Sequence, residues 1–280
     1  MSVWRLSGGL ELSFPPSLAA GVVNVTADSF YAGARSVTSE QAVEDGLRLV
    51  AEGFDLLDVG AVAARSGPPI EAEVEIAKLA PAIAGLAERS GVPVMADTFQ
   101  PEVALASLDA GAVAINDISG GSDEMFELVA ERGCGYVLMH IEGPPREDRT
   151  PPVYEDVVSY VKGWFAKRIE RMLAAGVAAE QIAIDPGPDF DKNVGDTIQL
   201  VGRIAELREL GRPVMAAISR KDYLGAIMAG SWDGRPDADA RGAATLAATA
   251  LATADGAEIL RLHDAEALDA MRVAEAIARG

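Results

Sequence analysis

Residues 93–116 read PVMADTFQPEVALASLDAGAVAIN, and this stretch decides the fold class. Its two ends, Pro93–Asp97 and Ala112–Asn116, are short apolar runs that stop at a polar side chain. Between them, Pro101 lies where a first-turn proline is tolerated, and it begins a short helical pattern that ends at Ala110. A strand, a helix and a second strand in this order predict a βαβ unit with buried parallel strands.

The same arrangement recurs along the whole chain. Apolar runs rich in Val, Ile, Leu and Ala alternate with helical patterns, and nearly every run ends at a polar or charged residue. The eight runs are Gly21–Asn24, Phe54–Asp58, Pro93–Asp97, Ala112–Asn116, Tyr136–His140, Ile182–Asp185, Pro213–Ser219 and Glu258–His263. They predict an α/β fold, a single (β/α)8 TIM barrel. The active site of that fold lies at the carboxyl ends of the strands, where the polar residues stand.

Length, composition and charge fit one domain of this kind. The chain has 280 residues against roughly 250 for a typical barrel, so we expect residues 1–280 to form a single domain. Hydrophobic residues make up 49% of the sequence, which is enough to fill a large core. The formal net charge of −19 argues against a nucleic-acid partner, because phosphate backbones bind to basic surfaces.

Cysteine usage and hydropathy bear on the compartment. Cys134 is the only cysteine of the sequence, so an intramolecular disulfide is impossible and a reducing compartment is favoured. Met1–Pro16 lacks the apolar core of a signal peptide, and no apolar run reaches the roughly 18 residues of a membrane span. We therefore expect a cytoplasmic protein that has no membrane partner.

Polar side chains gather at the predicted carboxyl ends of the strands. They are Asn24, Asp58, Asp97, Asn116, Asp117, His140, Asp185, Ser219, Arg220, Lys221, Arg261 and His263. Any single Asp or Asn at such a position could simply cap the helix that follows. Helix capping does not call for histidine, lysine or arginine, so the set as a whole favours a functional site.

Two clusters at this rim are basic. Ser219-Arg220-Lys221 follows the seventh strand, and Arg261-Leu262-His263 ends the eighth. Barrels commonly bind phosphate at the loops after these two strands. The alternation of a strand places Arg261 and His263 on the same face. The two clusters predict an anion site, with a structural ion pair as the alternative.

Three other rim residues, Asp97, Asn116 and Asp185, suit a flat heterocycle that carries adjacent N–H and C=O groups. A carboxylate can accept a pair of hydrogen bonds from an amine and a ring N–H, which is a strong and directional contact. Candidate apolar walls for such a pocket are Met139, Phe190 and Ile115. For Met139, packing in the core is the alternative.

Seven motifs that occur in register carry a resemblance to a known family. They are Asn24–Phe30, Asp97-Thr98, Ile115-Asn116-Asp117, Leu138-Met139-His140, Asp185-Pro186-Gly187, Ser219-Arg220-Lys221 and Arg261-Leu262-His263-Asp264. Each motif is weak alone, whereas seven in order are specific. From about Gly21 to the last helix, the chain resembles the dihydropteroate synthases of the pterin-binding barrel family.

The resemblance implies a reaction of folate biosynthesis, in which 7,8-dihydropterin-6-ylmethyl pyrophosphate and 4-aminobenzoate give dihydropteroate and pyrophosphate. It implies catalytic roles for Lys221, Asp97 and Asp185. The implied pterin contacts are Asp97, Asn116, Met139, Asp185, Phe190 and Lys221. The implied pyrophosphate contacts are Asn24, Arg65, Arg261 and His263, and Asn24 would also meet Mg2+. Ser219 and Arg220 would lie beside the aminobenzoate, and a homodimer is expected.

The sequence departs from the family pattern mainly on the aminobenzoate side. Residues 60–67 read GAVAARSG where the family has Gly-Gly-Glu-Ser-Thr-Arg-Pro-Gly, so Arg65 is retained and three polar residues are lost. Asp189 and Asp191 stand where the family prefers glycines. Two smaller changes place alanine where the family has a proline and a glycine, at Ala27 and Ala217. We expect pterin binding to be retained more firmly than synthase activity.

Three alternatives stay open from the sequence. The first is a divergent pterin-binding paralogue that has lost the condensation. The second is a methyltetrahydrofolate-dependent methyltransferase on the same barrel, which would need no diphosphate site; Arg65, Arg261 and His263 speak against it. The third is a barrel enzyme that acts on another phosphorylated substrate.

Overall fold

Strands and helices alternate along the chain in a computed structural model, which describes residues 2–25, 36, 38–62, 67, 70–147 and 149–279. The strands are β1 Ser2–Arg5, β2 Glu11–Phe14, β3 Leu18–Asn24, β4 Leu56–Gly60, β5 Val94–Asp97, β6 Ala114–Asp117, β7 Gly135–Met139, β8 Ile182–Asp185, β9 Met215–Ala216 and β10 Ile259–Leu262. The helices are α1 Ser39–Glu52, α2 Ala72–Arg89, α3 Pro101–Asp109, α4 Asp123–Arg132, α5 Val157–Ala174, α6 Val194–Val201, α7 Ile204–Leu207, α8 Asp222–Ala229, α9 Gly242–Ala254 and α10 Ala265–Arg279.

The described strands β3 to β10 form one parallel sheet in the order β8-β7-β6-β5-β4-β3-β10-β9. A parallel bridge between Ile184 of β8 and Val214, just before β9, joins the two ends of this order. The Ile184 amide donates to the Pro213 carbonyl oxygen at 2.9 Å. The sheet therefore closes on itself, and the predicted (β/α)8 barrel is confirmed.

Each predicted strand overlaps an observed one. Helix α5 begins at Val157, because the Asp156 side chain accepts hydrogen bonds from the amides of Val158 and Ser159 and caps the helix there. The helical segment after the sixth barrel strand is broken at Arg203 into α6 and α7. Helix α8 was not predicted.

An antiparallel hairpin of β1 and β2, also not predicted, covers the amino-terminal end of the barrel. Its buried side chains Trp4, Leu6 and Phe14 form one cluster with the first inward-facing residues of the strands. Those residues are Ala20, Leu56, Met95, Ala114, Val137, Ala183, Met215 and Ile259. The Trp4 indole N–H donates to the Gln181 carbonyl oxygen at 2.8 Å. This apolar layer closes the bottom of the barrel, so any ligand cavity must open at the opposite end.

Strand alternation then divides the remaining residues between the barrel interior and the helices. The second inward-facing layer lies two residues further along each strand. It consists of Val22, Asp58, Asp97, Asn116, Met139, Asp185, Ala217 and Arg261. Side chains of the other parity, such as Val59, Ile115 and Leu260, belong to the large core beneath the helices. Within the described ranges, no helix is both long enough and apolar enough to cross a membrane.

Candidate active site at the carboxyl end of the barrel

The second inward layer brings together side chains that lie far apart in the sequence. Asp97 and Asn116 are direct neighbours in the register of β5 and β6. Met139 and Asp185 are neighbours in the register of β7 and β8. Together with Arg261 of β10, these predicted site residues surround the axis of the barrel just above the apolar layer.

Arg261 is the electrostatic centre of this layer. Its Nε donates to Asp58 Oδ2, and its Nη2 donates to Asp97 Oδ2 at 2.7 Å. The Asn116 amide donates to the same Asp58 oxygen at 3.2 Å. Asp58 Oδ1 is buried and has no hydrogen-bond partner among the described residues. One guanidinium thus joins two carboxylates, while Asp58 fixes the orientation of both Arg261 and Asn116.

This cluster shifts the pKa of Asp97 and of Arg261. Burial, followed by the nearby charge of Asp58, raises the pKa of Asp97 to about 7, although Arg261 works in the opposite direction. Burial alone would lower the pKa of Arg261, but Asp58 and Asp97 outweigh it and raise that pKa above its ordinary value. Arg261 therefore keeps its charge, and Asp97 exchanges a proton near neutral pH.

Asp185 faces the cluster from the end of β8. Its Oδ1 accepts the Gly187 amide at 2.8 Å, and the side chain is buried. Burial raises the pKa of Asp185, whereas the Gly187 amide and the charges of Lys221 and Arg261 lower it. Gly187 has a φ of 65°, and a Cβ at that position would clash with the His140 carbonyl oxygen. The turn that holds Asp185 therefore requires glycine.

Lys221 and Phe190 stand together beside this carboxylate. Lys221 Nζ donates to the Pro188 carbonyl oxygen at 3.1 Å and lies 4.5 Å from the centre of the Phe190 ring. An ammonium over an aromatic face is attracted by the ring quadrupole. Phe190 also packs against the buried side chains of Ile118, Met139 and Ile141. The polar side chains of the second inward layer and an apolar wall thus lie side by side at the mouth of the barrel.

His263 and Ser219 occupy the next inward positions of their strands. His263 Nδ1 lies 2.8 Å from Ser219 Oγ. Burial, together with the charges of Arg261, Arg220 and Lys221, lowers the pKa of His263 well below its ordinary value. The imidazole is therefore neutral at physiological pH and acts through hydrogen bonds.

Of the other predicted site residues, Asn24 and Arg220 do not belong to the second inward layer. Asn24 ends β3 and is paired in register with Gly60 of β4, at the rim. Arg65 lies outside the described residues, and so does Ala27. The Arg220 guanidinium donates to Asp264 at 2.8 Å and to the carbonyl oxygens of Ala238 and Asp239. Arg220 thus ties the turn that carries Ser219 and Lys221 to the chain beyond α8.

His140 does not face the barrel axis, although it belongs to the polar residues at the strand ends. Its ring lies 4.9 Å from that of Trp164 on α5, and Lys192 Nζ lies 2.8 Å from its Nδ1. The reason is strand parity: Met139 points inward, so the next side chain points outward. Asp117 likewise turns outward and accepts the Tyr136 hydroxyl at 2.6 Å.

Asp58 and Lys192 are the site residues to which the sequence reasoning assigned no specific role. Asp58 was recognisable, since it stands two residues beyond the inward-facing Leu56. Lys192 lies in a loop where no periodic pattern applies, and only the fold shows that it is buried.

Comparisons with known proteins agree with this geometry. The model of the pterin binding enzyme family matches residues 20–263. The chain is 33% identical to dihydropteroate synthase of Escherichia coli (strain K12) over 279 residues, which cover 99% of this chain and 96% of that protein. It is 37% identical to dihydropteroate synthase of Mycobacterium leprae (strain TN) over 267 residues, which cover 94% of each.

Solved structures give the same result. The chain is similar to Xanthomonas albilineans dihydropteroate synthase with 4-aminobenzoic acid, with a TM-score of 0.88 and 38% identity. That alignment covers 99% of this chain and 98% of the other. The enzyme from the same organism in complex with 7,8-dihydropteroate has a TM-score of 0.83 and 36% identity, and the alignment covers 98% of each chain.

Proposed function

Because the chain belongs to the pterin-binding enzyme family, we propose that it catalyses the dihydropteroate synthase reaction of folate biosynthesis. It would transfer the 7,8-dihydropterin-6-ylmethyl group from its pyrophosphate to the amino group of 4-aminobenzoate. The observation that supports this most is the inward layer in which Asp97, Asn116, Asp185 and Arg261 surround one axis above a closed apolar floor.

In this proposal the pterin lies flat in the barrel mouth. The carboxylate of Asp185 accepts the paired hydrogen bonds of the amino-pyrimidine edge, and Asp97 and Asn116 meet the remaining ring nitrogens and oxygen. Met139 and Phe190 contact the ring faces, in keeping with the apolar cluster to which both belong. Lys221 donates a hydrogen bond to the pterin from beside Phe190. The site thus combines apolar walls with a few convergent polar groups, as ligand pockets generally do.

The proposed chemistry exchanges one bond for another at the pterin methylene. The C–O bond to the diphosphate breaks, the nitrogen of 4-aminobenzoate forms the new C–N bond, and the amine then loses a proton. Arg261 with its retained charge, neutral His263 and Arg65 would stabilise the departing diphosphate. Arg261 Nε and Nη2 are occupied by carboxylates, so Nη1 is the atom we assign to the diphosphate.

Mg2+ fits this site as a substrate-bound ion. The described residues contain no group of three or more His, Cys, Asp or Glu side chains that could hold a metal. Mg2+ commonly binds through one or two protein oxygens together with substrate phosphates, and Asn24 at the rim offers an amide oxygen of that kind. When bound, the ion would neutralise charge on the diphosphate.

The second substrate is assigned to the space beside Phe190 and Lys221. Ser219 would lie at its edge, and Arg220 would act by holding the turn that carries Ser219 and Lys221. In the family pattern that the sequence resembles, the polar residues lost from residues 60–67 belong to the aminobenzoate side, so we expect weaker binding of aminobenzoate than of the pterin.

The proposal extends to the organisation of the protein. We take residues 1–280 as one pterin-binding domain, since the hairpin at the amino terminus and the last helix both pack on the same barrel. A homodimer is proposed, and the exposed apolar side chains of Leu251 on α9 and of Val273 and Ile277 on α10 are the surface we assign to it. Cys134 is a buried free thiol, which supports a cytoplasmic location.

Product analysis tests the proposed reaction. We expect the purified protein to convert the pterin pyrophosphate and 4-aminobenzoate into dihydropteroate and pyrophosphate, as measured by chromatography. Omission of 4-aminobenzoate is the control. Pterin binding without product would instead indicate the paralogue, and consumption of methyltetrahydrofolate would indicate the methyltransferase.

Pterin affinity is expected to fall as the pH is lowered below about 7. In the free protein the pKa of Asp97 is raised to about 7, and the ionised carboxylate accepts hydrogen bonds from the pterin much more strongly than the protonated acid does. Binding below that pKa therefore displaces a proton, and the affinity falls by up to about tenfold for each pH unit. Calorimetric titration in buffers of different ionisation enthalpy measures the released proton. The Asp97→Asn variant, which binds more weakly, should lose this dependence; an equally steep profile in that variant would contradict the assignment.

A further inference from the structure

Two aspartates with left-handed backbone conformation flank Phe190 in the loop between β8 and α6. Asp189 has a φ of 68° and Asp191 a φ of 52°. Side chains other than that of glycine seldom adopt this conformation, although Asp and Asn tolerate it better than most. Glycine would satisfy the backbone at both positions, so the aspartates differ from glycine here only in what their side chains contact.

Asp191 joins this loop to the loop between β7 and α5. Its Oδ2 lies 3.0 Å from Arg149 Nη1 and accepts the Glu142 amide at 2.9 Å. Only 6% of the Asp191 side chain and 22% of the Arg149 side chain are exposed to solvent. This ion pair is therefore less screened than a surface pair, and it fixes the two loops relative to each other.

Lys192 also stabilises this loop. Its Nζ donates to the Phe190 carbonyl oxygen at 2.6 Å, and its side chain is buried beside the His140 ring. Burial lowers the pKa of His140 to about 4, so its neutral imidazole can accept a hydrogen bond from Lys192 at Nδ1. The backbone of Phe190 is thus held on one side by Lys192 and on the other by Asp191.

Asp189 connects the loop to two helices. Its amide donates to Thr197 Oγ1 of α6 at 3.3 Å, and its Oδ2 accepts the Tyr223 amide of α8 at 3.2 Å. Helix α8 directly follows Lys221, whose ammonium lies over the Phe190 ring. The position of Phe190 relative to Lys221 therefore depends on contacts from both ends of the loop.

A cavity of about 480 Å³ lies against this loop. Arg149, Asp191, Phe190 and Trp232 are among the residues that line it. A volume of this size could accept the aromatic ring of Phe190 if the loop moved outward. Asp191 and Arg149 both line this cavity, and the ion pair between them opposes such a movement.

We propose that Asp191 and Arg149 are positioning residues for the second substrate, because they hold Phe190 against Lys221 and oppose its movement into the adjoining cavity. This inference rests on the proposed function, in which 4-aminobenzoate binds beside these two side chains. The polar contacts of the pair go to the two loops and, among the described residues, not to the pterin layer. The pterin is also assigned to Asp97, Asn116 and Asp185, which the pair does not hold, so its loss should affect 4-aminobenzoate more than the pterin.

The Asp191→Gly variant tests this proposal. Glycine adopts the observed φ without strain, so the variant loses the two side-chain contacts while its backbone remains favourable. We expect the KM for 4-aminobenzoate to rise about tenfold, with kcat and the KM for the pterin pyrophosphate within about twofold of wild type. Asp191→Asn tolerates the same conformation and still accepts the Glu142 amide, so its KM should rise less.

Two further measurements separate positioning from a general structural role. Arg149→Gln should raise the KM for 4-aminobenzoate about as much as Asp191→Asn does, and the double variant Asp191→Asn/Arg149→Gln should be no worse than the poorer single variant, since the two residues act through each other. Asp109→Asn removes a surface ion pair with Arg132 and is the matched control, which should leave both KM values unchanged.

The outcomes are distinct. An active wild type whose KM for 4-aminobenzoate is unchanged in Asp191→Gly, or whose two KM values rise together, overturns the positioning role and leaves the proposed function intact. A wild type that forms no dihydropteroate overturns the proposed function and the second-substrate role together. Faster amide exchange at Glu142 in Asp191→Gly would then still report the loss of its hydrogen bond.

Discussion

The Asp185→Asn variant is expected to bind a pterin about 10³-fold more weakly than wild type, because the paired hydrogen bonds that we propose between Asp185 and the amino-pyrimidine edge need two acceptor oxygens. Asparagine presents one acceptor and one N–H₂ group, which would face a donor of the pterin. The variant keeps Oδ1 for the Gly187 amide, so the turn after β8 stays intact. Calorimetric titration with a pterin ligand measures the loss.

The same variant should fold at least as stably as wild type. Burial raises the pKa of Asp185 in the folded protein above its value in the unfolded chain. The wild-type protein therefore loses stability as the pH rises from the unfolded pKa through the folded one. Asparagine carries no charge and avoids this cost. Thermal unfolding should therefore show that the Tm of the variant rises relative to that of wild type as the pH increases. Pterin affinity within tenfold of wild type would contradict the role of Asp185.

The barrel could be predicted from the sequence because its signal is repeated eight times. Each strand of the sheet is buried on both faces, so it reads as an apolar run. The amino-terminal hairpin gave no comparable signal, since β1 and β2 contribute only a few buried side chains, among them Trp4 and Phe14. The two-residue β9 was predicted too long for a different reason. The chain from Pro213 to Ser219 is largely buried, but only Met215–Ala216 pairs as a regular strand.

Much of the candidate site followed from positions at strand ends, and strand parity would have refined it. Residues at even spacing along each strand, such as Met215, Ala217 and Ser219, share one face, which separates inward from outward side chains. Applied to β7, this rule turns His140 away from the axis, as the structure shows. Contacts inside loops could not be predicted in this way. The burial of Lys192 depends on how the loop after β8 folds over β7.

Arg261→Met is expected to lower turnover by about 10³-fold, because it removes the cation that we assign to the departing diphosphate. Methionine has a similar length and no charge, so the packing around β10 is largely kept. Single-turnover kinetics with the pterin pyrophosphate measures the effect on the chemical step. His263→Gln keeps a neutral hydrogen-bonding group in place of the neutral imidazole, and it should lose much less.

The same change should destabilise the protein in a pH-dependent way. Arg261 holds the buried carboxylate of Asp58 and the partly buried one of Asp97, and removal of one partner of a buried ion pair typically costs about 3–5 kcal/mol of unfolding free energy. Without Arg261 the pKa of Asp97 rises further above its value of about 7. Because the pKa of Asp97 in the folded variant is raised, the variant loses stability as the pH increases. Urea unfolding should therefore show a larger loss of unfolding free energy, relative to wild type, at about pH 8.5 than at about pH 5.5.

Neutralising one of the carboxylates separates the stability of the cluster from its function. In Asp58→Asn/Arg261→Met the only carboxylate left in the cluster is that of Asp97. The uncharged amide that replaces Asp58 no longer repels its charge. We expect the double variant to recover a large part of the lost stability, with most of the recovery at high pH, while turnover stays as low as in Arg261→Met. If Arg261→Met lost the same unfolding free energy at both pH values, Asp97 would not titrate in this range. Recovery of turnover in the double variant would show that Arg261 serves the carboxylates alone and not the diphosphate.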